Sequence, residues 1–370
     1  MSEMNAGRWS YYNPVRITAG AGCFADIAQA LPAAGSILLV TTPGFTRRGL
    51  TARLAELFVD RLQVCDVVTP NPELEDVDAL TDRFQDQGVC SIVALGGGSV
   101  MDTAKVLSVT LPCAQTRVLE SVLRQGCGRV WREHLPVVAV PTTSGTGAEV
   151  TPFATIWDQS TASKYSVTGD EVIPAHVFLD PNLTLSLPPT ETLHSALDAI
   201  SHSLESIWNK RRTPLSEAYA LQALDYATEA LPALRAKPCD LANRARMQQA
   251  SLMAGLAISE TRTAIAHAIS YPVTSLYGVP HGLACSFTLP ALLDSYLPTL
   301  TDGRARDVLL RVRSLLHTLN LPSEILKYTD AESLISHLDL MFHPDRAGNY
   351  SLEMKREGVA DILKNSFSRN

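Results

Sequence analysis

Asp198 and His202 stand four residues apart in the run DAISH. One helical turn takes about 3.6 residues, so an acid and a histidine at that spacing project from one helix face. The pair offers a hard oxygen and an imidazole nitrogen to a single metal ion. Two further histidines follow downstream, His267 in AIAHAIS and His281 in GVPHGLA. One acid and three histidines make a mononuclear site with a position left for water or substrate, a donor set suited to a transition metal. Each histidine taken alone has a plainer reading as a satisfied core or surface residue; the four together favour a site. His194 lies four residues before Asp198 on the same stripe. It reads either as a ligand or as a partner that orients the acid.

Two glycine-rich stretches accompany these residues. Gly96, Gly97, Gly98 and Ser99 follow the apolar run SIVAL and open a helical pattern. Glycines let a backbone approach a pyrophosphate closely, and a helix N-terminus adds free N–H groups and a favourable dipole. Asp102 and Lys105 follow at helical spacing. The second stretch, PTTSGTGAE at residues 141–149, follows the apolar run PVVAV. It supplies short hydroxyls and backbone donors without bulk, which suits phosphates or a nicotinamide. A plain polar turn would look similar in either place. Two such loops after two buried strands, however, fall on one carboxyl edge of a parallel sheet, where ligands bind. Neither GxxxxGKS nor GxGxxG occurs, so the P-loop and the usual dinucleotide fingerprint are absent.

The elements that must position these residues can be read from hydrophobic pattern. Residues 36–41, 62–68, 91–95 and 136–140 are short apolar runs expected as strands, most of them covered on both faces. Helices are expected at 23–31, 46–58, 74–86 and 100–110, and an edge strand at 11–18, where Pro14 is tolerated. This alternation predicts a doubly wound parallel sheet. After Pro188 and Pro189 the strands give way to helical patterns at 192–208, 215–234, 241–257 and 263–271, with more up to residue 363. The expected organisation is an α/β domain over 1–187 and a helical metal-binding domain over 188–370.

Bulk properties exclude several classes. The 370 residues are 46% hydrophobic, enough for large cores. A net charge of −7 leaves no basic surplus for phosphate backbones, so nucleic acid is not an expected partner. No run of about 18 apolar residues spans a membrane, and the polar first ten residues do not read as a signal peptide. Seven cysteines, odd in number and never in a CxxC pair, point to a reducing cytoplasm. Most are expected to serve as small buried apolar residues.

In order and spacing, GGGSVMDTAK (96–105), PTTSGTGAEVTPFATI (141–156), DAISH and the pair His267 and His281 resemble the iron-containing (group III) alcohol dehydrogenase family. The resemblance implies an N-terminal Rossmann-like α/β domain and an all-helical C-terminal domain, the architecture of the dehydroquinate synthase-like proteins. It implies Asp198, His202, His267 and His281 as ligands of Fe(II), with Zn(II) also acceptable to this donor set. It implies NADH or NADPH along Gly97, Gly98, Ser99, Asp102, Thr142, Thr143 and Thr146, with Asn71 and Lys164 nearby, and a homodimer. His194 is not a ligand position of the family.

The chain departs from the family pattern at two places. Many relatives carry an acid after the second strand that binds the adenosine ribose. Thr42 stands there instead, with Arg47 and Arg48 close behind. Nothing acidic at that position repels a 2′-phosphate, so NADPH is expected to be accepted. Many relatives also carry a histidine four residues after the third ligand. Here it is Tyr271, expected either to take over proton handling or to leave it to water or a ribose hydroxyl. YYNPVRI and residues 261–282 further resemble a branch that reduces phosphonoacetaldehyde to 2-hydroxyethylphosphonate. Arg262 is then the candidate cation for the phosphonate, while Lys210, Arg211 and Arg212 read as a solvated charge run. The implied activity is metal-dependent, NAD(P)H-linked reduction of an aldehyde to a primary alcohol. The alternatives are a general short-chain alcohol dehydrogenase of lactaldehyde or butanol type, and a dehydroquinate synthase-like lyase.

Overall fold

A computed structural model describes residues 8–161, 163–342 and 344–368. The apolar runs form β2 (Ser36–Val40), β3 (Leu62–Cys65), β4 (Val89–Gly96) and β5 (Val137–Pro141). With β1 (Arg16–Ala19) and β8 (His176–Leu179) they make a six-stranded sheet of order β1-β8-β5-β4-β2-β3, parallel throughout. Residues 37–40, 92–95 and 137–140 are at most 2% exposed. Cover on both faces is why they read as unbroken apolar runs. The chain passes from β2 out to β3, then returns across β2 to lay down β4. That reversal marks the carboxyl ends of β2 and β4 as the ligand-binding edge of such a sheet. The registers Val40 to Ala94 and Leu95 to Val140 bring the strand ends level.

Some expected elements change on folding. The helix expected at 46–58 splits into α1 (Pro43–Arg47) and α2 (Leu50–Leu57), because Gly49 turns the chain at φ +79°. The turn at 23–31 is a 3₁₀ helix, Cys23–Ala30, and the edge strand contracts to β1. α3 (Leu74–Phe84) and α4 (Gly98–Thr110) follow β3 and β4. An antiparallel hairpin, β6 (Phe153–Asp158) and β7 (Ser163–Thr168), emerges from the stretch read only as a polar loop and its continuation.

The remainder is helical: α5 (Pro189–Ile207), α6 (Pro214–Ala236), α7 (Leu241–Thr261), α8 (Ile265–Tyr277), α9 (His281–Ala284), α10 (Leu289–Tyr296), α11 (Arg304–Thr318), α12 (Leu321–Ile325), α13 (Ala331–Ile335), α14 (Pro344–Ala347) and α15 (Arg356–Phe367). One apolar core runs through them. The expected helix end at 271 is overridden. α8 passes through Pro272, with Ile265, Ile269 and Val273 buried on its inner face, and stops where Gly278 adopts φ +66°. Burial of that face outweighs the hydrogen bond that proline removes.

The described residues fall into two compact units. One holds Asn13–Thr143 and Ala148–Thr184; the other holds residues up to Tyr12, Ser144–Gly147 and the chain from Leu185 onward. The short piece 144–147 groups with the helices because two glycines admit them. A Cβ on Gly145 would stand 2.6 Å from the Ser195 carbonyl oxygen, and one on Gly147 would stand 2.4 Å from Gly255 Cα. Those glycines therefore serve helix packing. The expectation for the cysteines is corrected as well: only Cys65 and Cys285 are buried, Cys127 and Cys239 are exposed, and all seven are free. Among the described residues no helix is long and apolar enough to cross a membrane.

Candidate functional sites

α5 opens with Pro189 at its first turn, where a fixed φ favours the helix and the missing N–H costs nothing. From Ala196 to Ile207 every residue is buried. Asp198, His202 and Glu205 lie on one face of this stretch, at i, i+4 and i+7. α8 brings His267 and Tyr271, one turn apart, and α9 begins at His281.

These side chains meet around one oxygen. Asp198 Oδ1 lies 3.5 Å from His202 Nε2, 3.5 Å from His267 Nε2 and 3.7 Å from His281 Nε2. His267 Nε2 is buried and has no hydrogen-bond partner, so the spacing to Asp198 is that of an ion pair. Ligands about 2.1 Å from one ion at tetrahedral angles stand about 3.4 Å apart. The spacing seen therefore fits a shared divalent ion of the size of Fe(II) or Zn(II). Donor atoms of Asp198, His267, His281 and Cys285 all lie within 4.8 Å of one another. Burial works to raise the Asp198 pKa, but His202, His267 and His281 outweigh it and hold the carboxyl below its ordinary range.

Two residues that sequence reading passed over complete the arrangement. Glu205 Oε2 lies 2.6 Å from His267 Nδ1, and its Oε1 accepts from the amides of Ala266 and His267. A carboxylate on Nδ1 fixes the tautomer that leaves Nε2 for a metal. Its position three residues after His202 was a readable signal. Cys285 Sγ lies 3.4 Å from Asp198 Oδ1; it stands four residues after His281 at the end of α9.

Backbone contacts seat α9. Ser286 Oγ donates to the Leu197 carbonyl, and Ser201 Oγ to the Cys285 carbonyl. A Cβ on Gly282 would stand 1.9 Å from the His194 carbonyl oxygen, so only glycine can follow His281 at this approach. His194 contributes that carbonyl. The Tyr271 ring lies edge-on to His267 at 6.5 Å and near-parallel to His281 at 6.4 Å. Burial pushes its hydroxyl up to about 12, against the pull of Arg346. Arg346, another residue that sequence reading missed, sits 4.1 Å above the Tyr271 ring centre. Arg262 ends α7 at φ +64°, ψ 176°, a backbone region nearly confined to glycine. Its carbonyl accepts from Asn209 Nδ2 and Thr261 Oγ1, and burial together with Arg211 lowers its pKa.

The α/β unit gathers the nucleotide candidates on its carboxyl edge. Gly97 caps α4, and Gly98 is its first residue. A Cβ on Gly97 would stand 3.2 Å from Thr143 Cγ2 and Oγ1, so the two loops touch. Thr142 N donates to the Gly96 carbonyl, and Asn71 N, at φ +57°, donates to Ser99 Oγ. Asp102 accepts from Thr155 N; burial raises its pKa to about 6, with Lys105 and Lys164 opposing. Lys164 lies 4.6 Å from the Trp157 ring centre. Lys105 is fully buried, and its Nζ donates to the carbonyls of Ala148, Thr151 and Phe153. It thereby ties α4 to the chain after the second loop. Thr42 caps α1, and a Cβ on Gly44 would meet both Thr42 Oγ1 and Arg48 Nη1 at 3.6 Å, which puts hydroxyl and guanidinium around one spot. Thr146 belongs to the piece grouped with the helices.

Comparison with known proteins adds a family. Residues 14–181 match the description Iron-containing alcohol dehydrogenase, and residues 192–340 match Fe-containing alcohol dehydrogenase family, C-terminal. A phosphonoacetaldehyde reductase of Streptomyces viridochromogenes is 38% identical over 69% of this chain; the match spans 65% of that relative's own length, just under two thirds. A sulfoacetaldehyde reductase of Bilophila wadsworthia is 30% identical over 76% of this chain and 73% of its own. The crystal structure of a sulfoacetaldehyde reductase from Bifidobacterium kashiwanohense in complex with NAD+ superposes with a TM-score of 0.86 at 28% identity, covering 98% of this chain and 100% of that one.

Proposed function

The chain belongs to the iron-containing alcohol dehydrogenase family, and from that premise we propose that it reduces phosphonoacetaldehyde to 2-hydroxyethylphosphonate. At the level of reaction class it is an oxidoreductase that interconverts an aldehyde and a primary alcohol with a nicotinamide cofactor. In the reducing direction the aldehyde carbon takes a hydride from NAD(P)H and the oxygen takes a proton. The observation that carries the reading is the convergence of three imidazole nitrogens on Asp198 Oδ1, with His267 Nε2 buried and unbonded.

Asp198, His202, His267 and His281 are the residues that would hold the metal. When bound, Fe(II) or Zn(II) supplies Lewis acidity to a carbonyl oxygen. Glu205 holds the His267 ring by its Nδ1 and keeps Nε2 available. Tyr271, whose hydroxyl keeps its proton through neutral pH, is the residue we assign to donate a proton to the nascent alcohol. Gly97, Gly98, Ser99, Thr142 and Thr143 would receive the cofactor's pyrophosphate, where a helix N-terminus and bare backbone favour an anion. Asn71, Asp102, Thr146 and Lys164 would border it, and Thr42 would lie by the adenosine ribose.

The phosphonate reading draws support from the relatives, which include reductases of two-carbon aldehydes with either a phosphonate or a sulfonate head. A doubly charged head needs cations or N–H donors beside the metal, and Arg262 is the candidate from sequence. The test is NADPH oxidation by metal-loaded enzyme with phosphonoacetaldehyde against propanal. Two charge-assisted hydrogen bonds to the head predict a kcat/KM ratio of about 100 in favour of phosphonoacetaldehyde. A ratio near one or below moves the protein to the general short-chain alcohol dehydrogenases.

A further inference from the structure

We propose that Arg346 recognises the anionic head of the substrate and sets specificity for aldehydes bearing a small tetrahedral oxyanion. This rests on the anionic-aldehyde reading above and names the residue that would enforce it.

The guanidinium lies 4.1 Å over the Tyr271 ring, and that ring lies 6.4 Å from the His281 ring in near-parallel stack. Those two distances put the Arg346 guanidinium carbon within about 10.5 Å of the His281 ring centre, a separation that a metal-held two-carbon substrate and its head group would span. Among the described side chains no carboxylate pairs with Arg346; its partner is the aromatic face. A guanidinium carries its N–H groups as a planar fork, the geometry that meets a phosphonate or sulfonate two oxygens at a time. The residue is half-buried, so the fork is sheltered from bulk water without being sealed away.

The charges nearby leave the role open to a ligand. Asp198 and Glu205 both face histidines, which leaves neither to serve as the counter-ion of Arg346. An uncharged aldehyde would have no use for this cation.

The position is also built. Asn349 N donates to the Arg346 carbonyl, Asn349 Nδ2 to the Thr263 carbonyl and Lys210 N to the Asn349 carbonyl. Ser351 N donates to the Trp208 carbonyl, and Tyr350 packs edge-on against Trp208 at 5.9 Å. The segment carrying Arg346 is therefore clamped to the end of α5 and the entry to α8, the two helices that bear Asp198, His202 and His267. A one-turn helix held this way places its arginine with the precision that a selective contact needs.

The experiment compares wild type, Arg346→Gln and Arg346→Lys in two arms. In the first, the ratio of kcat/KM for phosphonoacetaldehyde to that for propanal is expected to fall about 30-fold in Arg346→Gln, through KM, with partial recovery in Arg346→Lys. In the second, methylphosphonate is used as an inhibitor of propanal reduction. Wild type is expected to be inhibited, and Arg346→Gln to require at least about tenfold more inhibitor. Metal content and melting temperature report whether the site is intact in each variant. A preserved ratio in Arg346→Gln, or equal losses on both aldehydes, overturns the assignment while the phosphonate reading stands. A wild type that ignores phosphonoacetaldehyde overturns that reading. The inhibitor arm then decides on Arg346 by itself: equal inhibition of wild type and Arg346→Gln, or none in either, overturns it.

Discussion

Both oxygens of the Glu205 carboxylate are directed at the first turn of α8, one to the amides of Ala266 and His267 and one to His267 Nδ1. The contact sets where His267 stands and which nitrogen it offers. Partners of this kind change metal affinity by about 10- to 100-fold when altered. Glu205→Gln keeps the size and loses the charge. It is expected to lower Fe(II) or Zn(II) affinity within that range, measured by competition with a chelator, and an unchanged affinity would remove Glu205 from the metal's support. That Asp198, His202, His267 and His281 come together around one oxygen was legible in the sequence from helical spacing and motif order. Glu205 carried a signal too, at i+3 from His202, but a buried acid in SHSLE looks like any helical glutamate until α8 is seen against it. Arg346 had no such signal. It comes from a one-turn helix far along the chain, and only tertiary structure brings it to Tyr271.

Among the elements, the parallel strands could be read from sequence because burial on both faces leaves an unbroken apolar run, as in SILLV and VVAVP. β6 and β7 could not, because alternating exposure dilutes the pattern and their hairpin begins inside a motif dominated by hydroxyls and glycines. α8 outran its expected end because proline's local preference yields to the burial of a whole helix face. The chain after the second glycine-rich loop holds a pH-sensitive group. Glu149 is buried, and burial raises its carboxyl to about 7 although Lys105 pulls the other way. The unfolded chain ionises this group near 4.3. Below about 4.3 both states hold the proton and no penalty arises. As pH rises towards 7 and beyond, folding must either hold back a proton or bury a charge, so stability falls. Asp102, raised to about 6, contributes in the same direction. Glu149→Gln is expected to flatten urea-unfolding stability between pH 5 and pH 8 and to gain up to about 3 kcal/mol at pH 8. An undiminished pH slope in the variant would show that the carboxyl is solvated.

At the scale of the whole molecule, the proposed function puts the cofactor at a sheet edge and the metal in a helical core. Their joint use is tested by chemistry rather than by either unit alone. The cofactor end makes one demand: with Thr42 and Arg48 around Gly44, NADPH should be used at least as well as NADH. Thr42→Asp places a carboxylate where a 2′-phosphate would lie and should shift the ratio of kcat/KM towards NADH by about tenfold or more; an unmoved ratio would take Thr42 out of the ribose site. The metal end makes another, since the ion would be held by residues of α5, α8 and α9 and its removal should lower the melting temperature, by an amount that grows with the logarithm of its affinity. The most direct measurement joins the two. Metal-free protein is titrated with Fe(II), and separately with Zn(II), while NADPH oxidation by phosphonoacetaldehyde is followed. The rate should start near zero and climb linearly to a plateau at one equivalent of metal per chain, with His267→Ala remaining flat throughout. Full turnover in the metal-free protein, or a His267→Ala variant that follows the wild-type curve, would contradict the assignment of Asp198, His202, His267 and His281 as the centre of the reaction.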